Sequence, residues 1–115
     1  MKSETRRQNI QTTPACWQRE APCPCVRIET SPQSSHVFPY QHFVCASLDH
    51  VNEVEELQLR FSSHDVELRG RNLRNLLLAL QDFAVKWIRV MPLRYQELEP
   101  GDAGVITDIR IGETK

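Results

Sequence analysis

The sequence predicts an α+β domain in which one amphipathic helix packs on one face of a small, mostly antiparallel sheet, in the order β-β-β-α-β-β. Three patterns predict it. Glu55, Leu57, Leu59 and Phe61 alternate with Glu56, Gln58 and Arg60, and the alternation resumes over Val66-Glu67-Leu68-Arg69. Leu73, Leu76, Leu77 and Leu80 recur at i, i+3, i+4 and i+7. Val105, Thr107, Ile109 and Ile111 alternate with Asp108 and Arg110. A period of two gives a strand one buried face, and a period near 3.6 gives a helix one buried stripe.

Taken in order, residues 1–35 show no sustained period and concentrate Pro14, Pro22, Pro24 and Pro32 among Gln, Ser and Thr. This composition predicts a disordered, Pro- and Cys-containing tail, with the single α+β domain at residues 36–115. Val26-Arg27-Ile28 is the exception, a short edge strand hemmed by Pro24 and Pro32. Val37-Phe38 and Phe43-Val44-Cys45-Ala46 lean toward strand, with Pro39 marking a bend between them. The alternation at 55–61 is then a strand with one wet face. Ser62-Ser63-His64-Asp65 is a turn whose side chains bond their own backbone, and Val66–Arg69 completes a hairpin.

Gly70 ends that strand, and Asn72 is a suitable cap for the leucine-striped helix. The helix has two possible ends. Ala84, Trp87, Ile88 and Met91 continue the stripe as far as Pro92, but Val85–Val90 is rich in β-branched and aromatic residues. The second pattern is preferred, giving a helix that stops near Asp82 and a strand after it. Arg94–Leu98 is a further short strand, Glu99-Pro100-Gly101-Asp102 a turn, and Val105–Ile111 the last strand.

A chain of 115 residues, 40% apolar and 25% charged, has room for one core and excludes collagen, coiled-coil and wholly disordered classes. The most apolar stretch, Leu73–Met91, is interrupted by Arg74, Asp82, Lys86 and Arg89, so no membrane partner is expected. The first residues are polar, and no apolar segment follows Arg6-Arg7, which argues against a secretory or twin-arginine signal. A soluble cytoplasmic protein is the expectation. Residues 1–35 carry Lys2, Arg6, Arg7, Arg19 and Arg27 against Glu4, Glu20 and Glu29, a balance of +2. The other nine cations and twelve anions leave −3. Without a basic stripe on the folded part, nucleic acid is not an expected partner.

Cys16, Cys23 and Cys25, together with His36, His42 or Cys45, supply enough soft ligands for a tetrahedral zinc. Their spacing lacks paired knuckles, so neither a metal nor any other cofactor is expected. The thiols of Cys16, Cys23 and Cys25 are assigned to the tail and Cys45 to the core. Cys23-Pro24-Cys25 is not the two-residue-spaced redox pair. Ser62, Ser63, His64 and Asp65 hold the letters of a hydrolytic triad, but such a triad converges from separated segments. Glu53, Glu55 and Glu56 are read as a solvated face.

Two function classes follow. The favoured one is a non-catalytic protein-interaction or self-associating module, because Leu76, Leu77, Leu78, Phe83 and Trp87 are a generous apolar supply for one short helix; Leu78 and Phe83 are its interface candidates. The alternative is an anionic-ligand-binding or enzymatic domain that uses the helix N-terminus, with Arg69, Arg71 and Asn72 as the binding residues. No catalytic constellation is assigned, and the absence of an acid, base or nucleophile set leans against an enzyme.

Overall fold

The computed structural model describes residues 14–97, 99 and 101–114. Its strands are β1 (Trp17–Arg19), β2 (Cys25–Ser31), β3 (Ser34–Pro39), β4 (Phe43–Val51), β5 (Val54–Phe61), β6 (His64–Arg71), β7 (Val85–Arg89) and β8 (Val105–Glu113), with one helix, α1 (Arg74–Gln81), between β6 and β7. The class is α+β, with more strands than the sequence pattern predicts. They form two four-stranded sheets, ordered β1-β7-β2-β3 and β4-β5-β6-β8. Every pairing is antiparallel except β2 with β7.

The β5–β6 hairpin forms as expected around Ser62-Ser63, with Leu57 opposite Leu68 and Leu59 opposite Val66. These four residues and Phe61 are buried, so the period-two reading found the correct face. From the other sheet come Val26, Ile28, Phe38, Val85 and Ile88, and the two sets join one core. Phe38 stacks on Phe61 across the sheets with ring centroids 4.5 Å apart. Tyr40 is buried at the same junction, its hydroxyl donating to the Val85 carbonyl at 2.6 Å and accepting from the Val85 N–H at 3.1 Å. That satisfied polar handle lets a tyrosine sit inside, and burial pushes its phenol well above the ordinary range.

The helix buries Leu76, Ala79 and Leu80, with Leu73 buried immediately before it. Leu77 is only half-buried, so the buried stripe is centred on Leu73, Leu76 and Leu80. α1 packs against β4 of one sheet and β7 of the other. It ends at Gln81, and β7 follows, in agreement with the preferred of the two sequence readings. The stop is chemical as well as statistical: Ala84 N–H bonds the Ala79 carbonyl and Phe83 N–H the Leu80 carbonyl, the paired bonds of a Schellman terminus.

Four expectations change. Residues 14–35 are not a tail: Cys16, Val26 and Ile28 have no exposed surface, and β2 lies inside its sheet between β7 and β3 instead of at an edge. Residues 1–13 of the expected tail lie outside the described residues. Pro24 and Pro32 flank β2 without interrupting it, which is why the ladder survives them. Of Arg94–Leu98, Leu98 is outside the described residues, and Leu93–Tyr95 forms a 3₁₀ turn where the Tyr95 N–H reaches the Pro92 carbonyl. Asn72 does not cap α1 with its side chain; it adopts a left-handed φ of 58° and Leu73 takes the cap position. Lastly, β8 shifts register opposite Arg69/Gly70, so Val105 and Ile106 are both buried and the expected Val105–Thr107 alternation starts one residue late.

Candidate functional site

The N-terminus of α1, where an anion site was expected, is built from the end of β6 and the segment before β8. Gly70 and Gly104 make that join possible. A Cβ on Gly70 would stand 1.9 Å from the Val105 carbonyl oxygen, and one on Gly104, at φ +78°, would stand 2.3 Å from that of Asn72. The incoming chain then covers the helix start: Asn72 Nδ2 donates to the Gly101 carbonyl at 2.8 Å, and Asn75 Nδ2 to that of Asp102 at 3.0 Å. Arg71 donates to the Gln96 carbonyl. Arg69 lies on the outward face between Glu67 (2.9 Å) and Glu56 (3.4 Å), whose charges hold its guanidinium in the cationic form.

The three predicted binding residues are thus near one another in the chain but engaged with its own carbonyls and carboxylates. The decisive contact is one the sequence reading missed. Glu55 Oε1 accepts the Leu73 N–H at 2.7 Å, so a carboxylate from β5 already sits on the first amide of the helix start. The acidic run Glu53, Glu55 and Glu56 predicts a solvated position for Glu55, which the structure corrects. Its parity with Leu57 and Leu59 was the available signal, because it puts Glu55 on the inward face.

The cysteines are placed in the reverse of the expected arrangement. Cys16 is buried, with its Sγ donating to the Gly104 carbonyl at 3.4 Å, and burial pushes its thiol up. Cys23 is half-buried and its Sγ lies 3.6 Å from the Val85 carbonyl; desolvation first, then the nearby Glu20 charge, raise its thiol as well. Cys45 is exposed on β4. Among the described residues no three His, Cys, Asp or Glu side chains converge where they could hold a metal ion. Ser63 Oγ and His64 Nδ1 are 2.7 Å apart within the hairpin, while Asp65 turns to Arg60 and to the Thr114 hydroxyl, both at 3.1 Å. Only Ser62 and Ser63 form the turn; His64 and Asp65, expected in it, open β6, and none of the four is arranged as a triad.

Comparison with protein-family models, curated proteins and solved structures finds no match for this chain. Among the described residues no helix is long and apolar enough to cross a membrane.

The remaining feature is apolar. Leu78 is 41% exposed on the free side of α1, and Phe83, just past the helix end, is 46% exposed. Phe83 occupies the position of the Schellman terminus that glycine usually fills, at φ 54°. An L-residue in that region costs about 1–2 kcal/mol, because Cβ crowds the backbone. The backbone is held there by its two helix-end bonds and by the Phe83 carbonyl, which accepts the Cys23 N–H at 3.0 Å. The ring leans on Tyr40 (centroids 5.2 Å) and Phe43 (6.5 Å) and leaves nearly half its surface to solvent. Phe43 begins β4, which among the described residues pairs only with β5 and carries exposed Val44 and Val51.

Proposed function

We propose that the protein is a non-catalytic interaction module whose contact surface comprises the free side of α1, Phe83 and the edge of β4 that is unpaired among the described residues. One observation carries the reading: a bulky aromatic residue is kept in a left-handed backbone conformation and yet left 46% exposed. Strain of this kind persists where the surroundings over-determine it, and it concentrates at positions with a role beyond packing. Glycine would relieve the strain but lose the contacts with Tyr40 and Phe43, so the ring brings the isolated fold little net stability. Exposed aromatics bordered by apolar neighbours are the usual anchors of protein contacts. The anionic-ligand alternative is not favoured, because a carboxylate, Glu55, already accepts the Leu73 N–H at the helix start and Arg69, Arg71 and Asn72 bond within the chain.

The test is site-specific photo-crosslinking of the full chain in its native extract. A photoreactive phenylalanine analogue at Phe83 or Leu78 is expected to give discrete protein adducts, and the same group at Gln33, exposed in the β2–β3 turn of the first sheet, is not. Equal labelling at all three positions would sink the proposal.

A further inference from the structure

We infer that the partner at the β4 edge is a second copy of the same chain, paired antiparallel about a two-fold axis through Ser47. The inference rests on the interaction-module reading and narrows it. β4 is nine residues long and contains no Pro, Lys or Arg, the residues that commonly block an exposed edge. The opposite edge of that sheet, β8, is partly covered: Met91 N–H bonds the Ile106 carbonyl at 2.8 Å, and Asp108 and Arg110 pair along the strand. Val51 and Val54 close the β4–β5 hairpin across Asn52-Glu53. Counting back along an antiparallel ladder, the peptide groups of Asp49 and Ser47 face β5, and those of Ala46, Leu48 and His50 face the free edge.

Charge and apolarity both select the antiparallel orientation and its register. One end of β4 is acidic, with Asp49 and the hairpin-tip Glu53 exposed; beside the other end is Arg60, exposed on β5 opposite Cys45. Parallel pairing would set acidic end against acidic end. A two-fold at Ser47 instead sets Asp49 of one copy opposite Cys45 of the other. The small cysteine leaves Arg60 free to reach across it, and a guanidinium already bonded to Asp65 retains donors for a second carboxylate. In the same register Ala46 meets Leu48 of the second copy on the inward face, where both are only half-buried in one chain. No like charges face each other. The result is one continuous eight-stranded sheet across two chains, a recurrent way of satisfying an open edge.

The experiment measures the solution mass of the full chain as its concentration is raised, for the wild type, Ala46→Pro and Ser47→Asp. Proline at 46 removes only a donor that faces the free edge, and aspartate at 47 opposes itself across the axis while lying on the solvent face of one chain. The wild type is expected to rise from 13.3 kDa toward twice that mass, and both variants to stay at 13.3 kDa with unchanged circular dichroism. Should Ala46→Pro unfold, Ser47→Asp carries the test alone. Ser47→Cys in a Cys45→Ser background should cross-link between copies with oxidised glutathione, because the axis pair has its Cα atoms about 4.5 Å apart, within disulfide reach. A wild type that stays monomeric overturns the inference, as does a dimer that both variants leave intact. A monomer that still gives adducts with other proteins at Phe83 overturns only the second copy; a monomer without adducts overturns the interaction reading too.

Discussion

Phe83 offers a measurement whose sign is diagnostic. Fully burying a phenylalanine contributes about 1.5–3 kcal/mol, and with 46% of Phe83 exposed roughly half of that is realised. Phe83→Ala should therefore cost about 1 kcal/mol, because it removes the ring from Tyr40 and Phe43 while keeping a Cβ in the left-handed region. Phe83→Gly loses the same packing but regains about 1 kcal/mol of strain, so its net effect is close to zero. At an ordinary helical position glycine is about 1 kcal/mol worse than alanine; here it should be about 1 kcal/mol better. Urea unfolding reads this as a higher midpoint for the glycine variant at an unchanged slope, or about 4 °C in Tm. The samples must be dilute enough that association does not contribute. An alanine variant equal to or more stable than the glycine variant would refute the strain argument. It would also remove the observation that carries the proposed function.

Three further outcomes are expected. Leu76→Ala and Leu80→Ala should each cost about 2–5 kcal/mol in chemical denaturation, Leu77→Ala clearly less and Leu78→Ala least, following their burial; equal costs would mean that α1 is rotated about its axis. Glu55→Ala should destabilise by about 0.5–2 kcal/mol, since the Leu73 N–H loses its acceptor, with Glu55→Gln recovering part of the loss; no effect would place water or another group at the helix start. A thiol reagent at neutral pH should modify Cys45 first and Cys16 last, because burial keeps the Cys16 thiol protonated, and a Cys16 as reactive as Cys45 would show that β1 opens readily.

Local pattern carried the second sheet well and the first sheet poorly, for a physical reason. Along β5 and β6 the partners are neighbours in sequence, so alternation, a two-residue turn and matching faces all appear within one window. β2 has the same alternation in Val26 and Ile28, but its partner β7 begins at Val85, and nothing near Val26 announces a parallel neighbour that far along the chain. The flanking Pro24 and Pro32 suggest a short edge strand, but a proline just outside a strand removes no ladder bond. The 3₁₀ turn at Leu93–Tyr95 has a similar origin, because Pro92 fixes the backbone locally whatever the apolar content of the residues that follow.

The candidate site divides along the same line. Leu78 and Phe83 were legible because a short helix can bury only one stripe, and the apolar residues left over had to face outward. Where Phe83 sits on the backbone was not legible, since the helix-end position calls for glycine and only the coordinates reveal a strained aromatic there. The helix start shows the opposite error. Arg69, Arg71 and Asn72 read as free anion binders because a sequence window contains no distant acceptor, yet the anion is supplied from Glu55, on a different strand. A helix N-terminus inside a packed domain has to satisfy its orphan amides, and an inward-facing carboxylate on a neighbouring strand does so without a ligand. The polar end of α1 thus already meets a carboxylate of its own chain at the Leu73 N–H, while its apolar end is held open at the cost of strain. That asymmetry directs attention to Phe83 and the β4 edge for contacts with other molecules.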